Sequence, residues 1–308
     1  METVAVVGAG LIGRAWAVVF ARAGWAVRLH DLHGPTLEAA PGLVQAELEM
    51  LRGHGLVEGA AGPVTACADL GATLDGAAFV QESGPEVLAA KQALFAALDR
   101  LAPAGVVLAS STSAIPASAF TEGLPGRGRC LVGHPVNPPH LIPVVELCGA
   151  PWTEADALDR AAAVYRAVGQ VPVLVRREVE GFVLNRLQGA LLAEAFRLVA
   201  DGVVSPEDLD RTVCDGLGLR WSFLGPFATI ELNAPGGIAD YLARYTGFYA
   251  RIAADPPGPG VFGADSTARI AAAWPHRADP ARLAARTAWR NRRLAALAAH
   301  KRAEAGEP

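Results

Sequence analysis

The sequence predicts an α/β protein: a Rossmann-type doubly wound sheet followed by an all-helical C-terminal domain. Three observations predict it. Short, continuous apolar runs alternate with helical stretches as far as Val175, as parallel strands buried on both faces require. A glycine loop, Gly8-Ala9-Gly10-Leu11-Ile12-Gly13, joins the first such run to the first helix. From Gly181 onward the strand-like runs stop and helical patterns continue to the end.

The elements follow in order. Val4 to Val7 is the first strand, Ile12 to Ala23 the first helix, and Ala26 to His30 the second strand, ending at Asp31: a βαβ unit. Thr36 to Leu51 reads as a long helix interrupted by Pro41-Gly42. A Gly-rich turn, Gly53 to Pro63, leads to another short strand. Ala78 to Gln81 is the next strand, and Glu86 to Leu101 an amphipathic helix with Leu88, Leu94, Phe95 and Leu98 on one side. Val106–Ala109, Cys130–Val132 and Val144–Leu147 are strands. The last two follow one another without a helix, which predicts an antiparallel addition. Glu154 to Val168 is helical, and Val171 to Val175 closes the series. Phe182 to Ala200 is one long helical run. Ser205-Pro206-Glu207-Asp208 reads as a helix start, with a serine cap, proline in the first turn and acids behind it. The expected domains are 1–179, binding a dinucleotide, and 180–308, helical and serving substrate and dimerisation.

Bulk properties remove several function classes. The 308 residues suffice for two domains. No apolar stretch reaches about 18 residues, so no membrane span is expected. The first residues enter a strand directly, leaving no room for a signal peptide. Cys67, Cys130, Cys148 and Cys214 are scattered, without metal-ligand or disulfide spacing, which fits a reducing cytoplasm and no metal. A net charge of −4, with no basic stripe before the Arg-rich stretch Arg282 to Arg302, argues against a nucleic-acid partner. Lysine is rare: Lys91 and Lys301 are the only two.

In the glycine loop, Gly8 permits the tight turn, Gly10 lets backbone approach a pyrophosphate, and Gly13 lets helix and strand pack closely. The free N–H groups at Leu11 and Ile12 and the helix dipole then face the phosphates. Asp31, eighteen residues past Gly13, suits the adenosine ribose hydroxyls and repels a 2′-phosphate. Leu32, His33 and Gly34 follow it, with no arginine, so NAD is expected rather than NADP.

His134 ends an apolar run before a proline-rich turn, and Glu146 lies twelve residues on in the returning run. Such a pair can oxidise a hydroxyl. A neutral imidazole takes the proton, and a carboxylate fixes its tautomer and stabilises the imidazolium. On pattern alone it could equally be structural.

The motifs around this pair resemble those of the 3-hydroxyacyl-CoA dehydrogenase superfamily. Gly133-His134-Pro135-Val136-Asn137-Pro138-Pro139 with Val145-Glu146-Leu147, Ser110-Ser111-Thr112-Ser113, and Gly181 through Leu187 carry the resemblance. Val204 through Asp210 and Asp215 through Arg220 are similar to the lambda-crystallin branch, whose enzymatic identity is L-gulonate 3-dehydrogenase. The resemblance implies His134 as general base, Glu146 as its partner, and Ser113 bonded to the reacting oxygen. It also implies Asn185 holding substrate and nicotinamide, on an inward helix face shared with Phe182, Gly189 and Leu192. Glu86 and Lys91 become a cofactor-contacting pair, and a homodimer through the helical domain is expected.

Two features bear on the substrate. Acyl-CoA members carry basic residues on the helix after the second strand, whereas Thr36 to Met50 here holds Glu38, Glu47 and Glu49 and no Lys or Arg. Arg220, amid Leu219, Trp221 and Phe223, suits a substrate carboxylate, although a salt bridge would also satisfy it. The expectation is oxidation of a small polar 3-hydroxy acid, L-gulonate-like. L-Carnitine and 3-hydroxyacyl-CoA are alternatives, and so is a crystallin-like structural or NAD-binding protein without turnover.

Overall fold

In the computed structural model, which describes residues 1–276 and 279–304, the chain forms two compact units. One comprises Met1–Asn185 together with the chain from Ala285 onward, and the other Arg186–Ala284. This differs from a single cut at 179, because the last helix returns to the first unit.

The first unit holds one eight-stranded sheet: β1 (Thr3–Val7), β2 (Ala26–His30), β3 (Val64–Ala66), β4 (Phe79–Glu82), β5 (Val107–Ser110), β6 (Cys130–Pro135), β7 (Val144–Gly149) and β8 (Val171–Val175). The order is β3-β2-β1-β4-β5-β6-β7-β8. Every pair is parallel except β6–β7, the antiparallel addition expected where no helix intervenes. The carboxyl ends of β1, β2, β4, β5 and β6 therefore share one edge, and the strand order reverses between β1 and β4. Ligands of open α/β sheets bind in that crevice.

Helices α1 (Leu11–Arg22), α2 (Gly34–Gly53), α3 (Leu70–Leu74), α4 (Leu88–Leu101), α5 (Ala117–Thr121) and α6 (Ala155–Ala167) connect the strands. Trp16, Phe20, Val44, Leu48 and Tyr165 pack with Val4, Val6 and Phe79 in one core layer. Phe95, Leu98 and Phe120 pack with Ala5, Val80 and Leu108 in another. Alternate strand residues thus go to different layers, as period-two side chains must. Fully burying each of these large side chains contributes about 1.5–3 kcal/mol. A polar chain threads the first layer: Tyr165 OH donates to Gln81 Oε1 at 2.6 Å, and Gln81 Nε2 donates to Ser111 Oγ at 2.9 Å.

Pro41 does not interrupt α2, contrary to expectation. The helix runs unbroken through it, with Leu37, Ala40, Val44, Leu48 and Leu51 buried. Burial of that stripe outweighs the roughly 3 kcal/mol that an interior proline costs.

The second unit is helical: α7 (Leu184–Ala200, entering it at Arg186), α8 (Pro206–Arg211), α9 (Leu219–Trp221), α10 (Pro226–Glu231), α11 (Gly237–Ala253) and α12 (Ala264–Ala273). Ser205 caps α8 by accepting from the Asp208 N–H at 3.1 Å. Between α8 and α9, Thr212–Gly218 forms a π-helix, which the sequence did not suggest. Finally α13 (Pro280–Ala303) buries Ala295 in the first core layer, with Leu294, Ala298 and Ala299 packed against that layer.

Candidate active site

The glycine loop fits a dinucleotide. A Cβ on Gly8 would collide with the Ser83 carbonyl, and one on Gly13 with the Gly8 carbonyl. A Cβ on Gly10 meets nothing within 4 Å, so that face of the loop is open to a ligand. Gly10 starts α1 without a side-chain cap and with no acid in the first turn. The first N–H groups of α1 are thereby left for an anion. Asp31 at the end of β2 is half-buried. Its Oδ2 accepts from the Ala9 N–H at 2.7 Å and its Oδ1 from the His33 N–H at 2.8 Å, tying loop to strand.

Beside this loop lies a buried charge cluster. Lys91, only 1% exposed, donates to both Glu82 oxygens at 3.1 Å and stands 3.6 Å from Glu86 Oε2. Glu82 is fully buried and also accepts from Ser110 Oγ and the Gly84 N–H. Glu86 precedes α4 rather than lying on it. Its Oε1 accepts from Thr112 Oγ1 at 2.5 Å, the Ser113 N–H at 2.9 Å and the Ala114 N–H at 3.0 Å. Burial raises the Glu86 carboxyl pKa, but these bonds and the Lys91 charge outweigh it, so the net shift is downward. Lys91, expected beside the cofactor, is paired with Glu82 and Glu86, and Glu86 is the half-exposed member of the predicted pair. Glu82 was missed, because a carboxylate inside an apolar strand run gives no signal without its partner.

The His134–Glu146 pair meets across the antiparallel ladder, where the two residues are direct partners. His134 Nδ1 is 2.8 Å from Glu146 Oε2, with both side chains at most 5% exposed. The other oxygen, Oε1, accepts the Val183 and Leu184 N–H groups, each at 2.9 Å. Burial raises the Glu146 carboxyl pKa, yet the bonds from His134, Leu184 and Val183 bring it below the ordinary 4.5. An ionised Glu146 makes Nδ1 the protonated nitrogen and leaves the Nε2 lone pair to accept a proton.

The turn before α7 was misread as helix. Phe182 has φ +48, a left-handed conformation that costs a side-chain-bearing residue about 1–2 kcal/mol. This turns the next two N–H groups onto Glu146. The Phe182 ring is 1% exposed and lies 5.4 Å from the His134 ring, centroid to centroid. Phe182 therefore does not share a helix face with Asn185. Asn185, in the first turn of α7, is half-buried and donates from Nδ2 to the Ser113 carbonyl at 3.1 Å. Ser113 itself is exposed, in the loop after β5, the strand that pairs with β6.

Arg220 lies within α9, directly after the π-helix, and is exposed. Among the described residues no carboxylate is within ion-pair distance of it. Short π segments occur often at functional sites.

Residues 3–179 match the family described as 3-hydroxyacyl-CoA dehydrogenase, NAD binding domain, and residues 181–257 match its C-terminal domain. The chain belongs to the 3-hydroxyacyl-CoA dehydrogenase family. It is an NAD-dependent oxidoreductase of that family. A lambda-crystallin homolog from Bos taurus is 45% identical over 303 residues, covering 96% of this chain and 94% of its own. A 3-hydroxyacyl-CoA dehydrogenase from Gibberella moniliformis is 42% identical over 245 residues, covering 79% of this chain and 76% of its own. Among solved structures, the NAD+-dependent 5-formyl-3-hydroxy-2-methylpyridine 4-carboxylic acid 5-dehydrogenase superposes with a TM-score of 0.84 at 29% identity, over 100% of both chains.

Proposed function

We propose that the protein oxidises the 3-hydroxyl of a small, polar 3-hydroxy acid, L-gulonate-like, to the 3-keto acid. The observation that carries this reading is the 2.8 Å His134–Glu146 pair at the sheet edge that also bears the glycine loop. His134 Nε2 takes the hydroxyl proton while hydride leaves C3, and Glu146 stabilises the imidazolium. Bound NAD supplies the hydride acceptor. Ser113 bonds the reacting oxygen through its hydroxyl, and Asn185 holds substrate and nicotinamide. Gly8 through Gly13 take the pyrophosphate, Asp31 the adenosine ribose, and Glu86 the cofactor on its open side.

A free acid rather than a CoA thioester is supported by two features. From Thr36 to Met50 there is no basic residue to meet CoA phosphates. Arg220 is exposed and lacks a carboxylate partner among the described residues, so a substrate carboxylate can satisfy it. The relative superposed over both whole chains is named for a free pyridine carboxylic acid. The deciding experiment follows NADH at 340 nm with L-gulonate, 3-hydroxybutyrate, L-carnitine and 3-hydroxybutyryl-CoA. Turnover of L-gulonate with NAD and not NADP is the expected result. Preference for the thioester overturns the substrate assignment, and NAD binding without turnover on any of them overturns the enzymatic one.

Assembly as a homodimer through the helical unit is part of the reading. On α11, Ile238, Leu242, Tyr245, Tyr249 and Ile252 form a stripe at helical spacing, each 38–51% exposed. All four cysteines are free thiols, which supports a reducing compartment such as the cytoplasm.

A further inference from the structure

A cleft of about 770 Å³ in the sheet-bearing unit includes none of the residues assigned above. Arg22 at the end of α1, Leu56 and Glu58 after α2, His140 in the β6–β7 loop, and Lys301 and Arg302 on α13 are among its walls. Among the described residues its walls carry Arg22, Lys301 and Arg302 and one carboxylate, Glu58. Glu58 answers Arg302 at 2.7 Å. Arg22 has no carboxylate within ion-pair distance among the described residues. Its Nη1 donates to the His140 carbonyl at 2.7 Å, and with the Gln170 amide turned so that both its ends are satisfied, its Nη2 donates to the Gln170 oxygen at 3.1 Å.

Two further observations point to a missing counter-anion. Burial, and then repulsion from Arg302, lowers the Arg22 pKa to about 10, below the ordinary guanidinium value. A bound anion would offset that desolvation. His140, 6% exposed, lines the same cleft; its Nε2 faces Glu47 Oε2 at 3.5 Å, while its buried Nδ1 has no hydrogen-bond partner. Buried polar atoms are nearly always satisfied, so Nδ1 is set for a partner.

We propose that the cleft is a second ligand site, separate from the cofactor and the catalytic pair, and that it takes a small, multiply charged organic anion: a phosphorylated or polycarboxylate metabolite. Arg22 offers a phosphate or carboxylate its charge and the N–H groups not used by His140 and Gln170, and Lys301 and Arg302 add charge at the rim. Leu56 and Leu141 give the carbon skeleton an apolar wall, and the volume suits a metabolite rather than a bare ion. The site is connected to both working parts of the unit. Arg22 closes the helix that opens at Gly10, and His140 sits in the loop between His134 and Glu146.

The test is calorimetric titration of the NAD-saturated protein, with pyrophosphate in one arm and citrate in the other. Saturating NAD occupies the glycine loop, the competing anion site. One-site binding of at least one probe is expected, and the arm that responds distinguishes phosphorylated from polycarboxylate ligands. Arg22→Gln should weaken that binding about tenfold or more, since ionic hydrogen bonds contribute roughly 1.5–3 kcal/mol, while NAD affinity is retained. Arg302→Gln, at a half-exposed position, should weaken it by up to about fivefold and decides the matter if Arg22→Gln does not fold. No saturable binding by either probe, or binding unchanged in the folded variants, overturns the proposal.

Discussion

The two units solve the problem of burial differently. In the sheet-bearing unit, strands β1, β4, β5 and β6 are buried almost throughout, and even Glu82, Lys91, His134 and Glu146 are withdrawn from water. Among the described residues between Arg186 and Ala284, only Ala195, Thr229 and Ala234 are buried. There Tyr245, Phe248, Tyr249, Ile252 and Phe262 are each at least 41% exposed. A sheet covered by helices on both faces completes its own core. The helices of the second unit leave an aromatic face exposed, where we propose that a second copy docks. Chemistry that demands fixed geometry is accordingly expected in the first unit. Recognition and assembly are expected in the second.

The strongest way to break that division is His134→Gln. It should lower kcat by about 10²–10⁴-fold, the usual contribution of a general base, while NAD affinity and the association state stay as they are. Equal loss of NAD binding in an equilibrium titration would mean that His134 organises the cofactor cradle instead.

Next comes Arg220→Ala, which should raise KM for hydroxy acids about tenfold to a hundredfold, following the roughly 1.5–3 kcal/mol of an ionic hydrogen bond. Arg220→Lys should recover only part, because an ammonium cannot make two parallel bonds. The melting temperature should not move; a large drop with unchanged KM would show that the arginine serves structure.

For assembly, Tyr245→Glu combined with Ile252→Glu puts two charges into the α11 stripe. Light scattering should show a shift from dimer to monomer, with a lower melting temperature. An unchanged mass would show that this face is not the interface.

The smallest effect concerns acid. The carboxyl pKa values of Glu86 and Glu146 both lie below 4.5 in the folded protein. A depressed carboxyl contributes stability that is present above its unfolded value and is lost as pH falls through the folded one. Melting temperatures of the cofactor-free protein should therefore fall as pH drops below about 4.5. Glu86→Gln should flatten part of that fall, and an identical acid profile in that variant would contradict the assignment.

Much of the fold was legible because its signals are local. Buried parallel strands need continuous apolar runs, the loop after β1 needs glycine where a Cβ would strike backbone, and β6 followed directly by β7 implies antiparallel pairing. What misled was also local. Pro41 predicts a break in α2, but burial of Leu37, Val44 and Leu48 decides otherwise. Glu86 through Leu101 has helical spacing, but Glu86 is drawn off the helix by the N–H groups of Ser113 and Ala114.

The sequence by itself determined the sheet and the NAD-binding loop and allowed His134 to meet Glu146; the antiparallel register of β6 and β7 decided that they do. Tertiary structure alone decided what each charge does. Lys91 is enclosed between Glu82 and Glu86 because a buried ammonium must find anions wherever the fold supplies them. Phe182 takes a strained turn because the second oxygen of Glu146, taken out of water, needs the N–H groups that this turn presents. The last helix joins the first unit because Ala295 and its neighbours find an apolar layer there. Such partners lie tens to hundreds of residues apart, and only the folded chain brings them together.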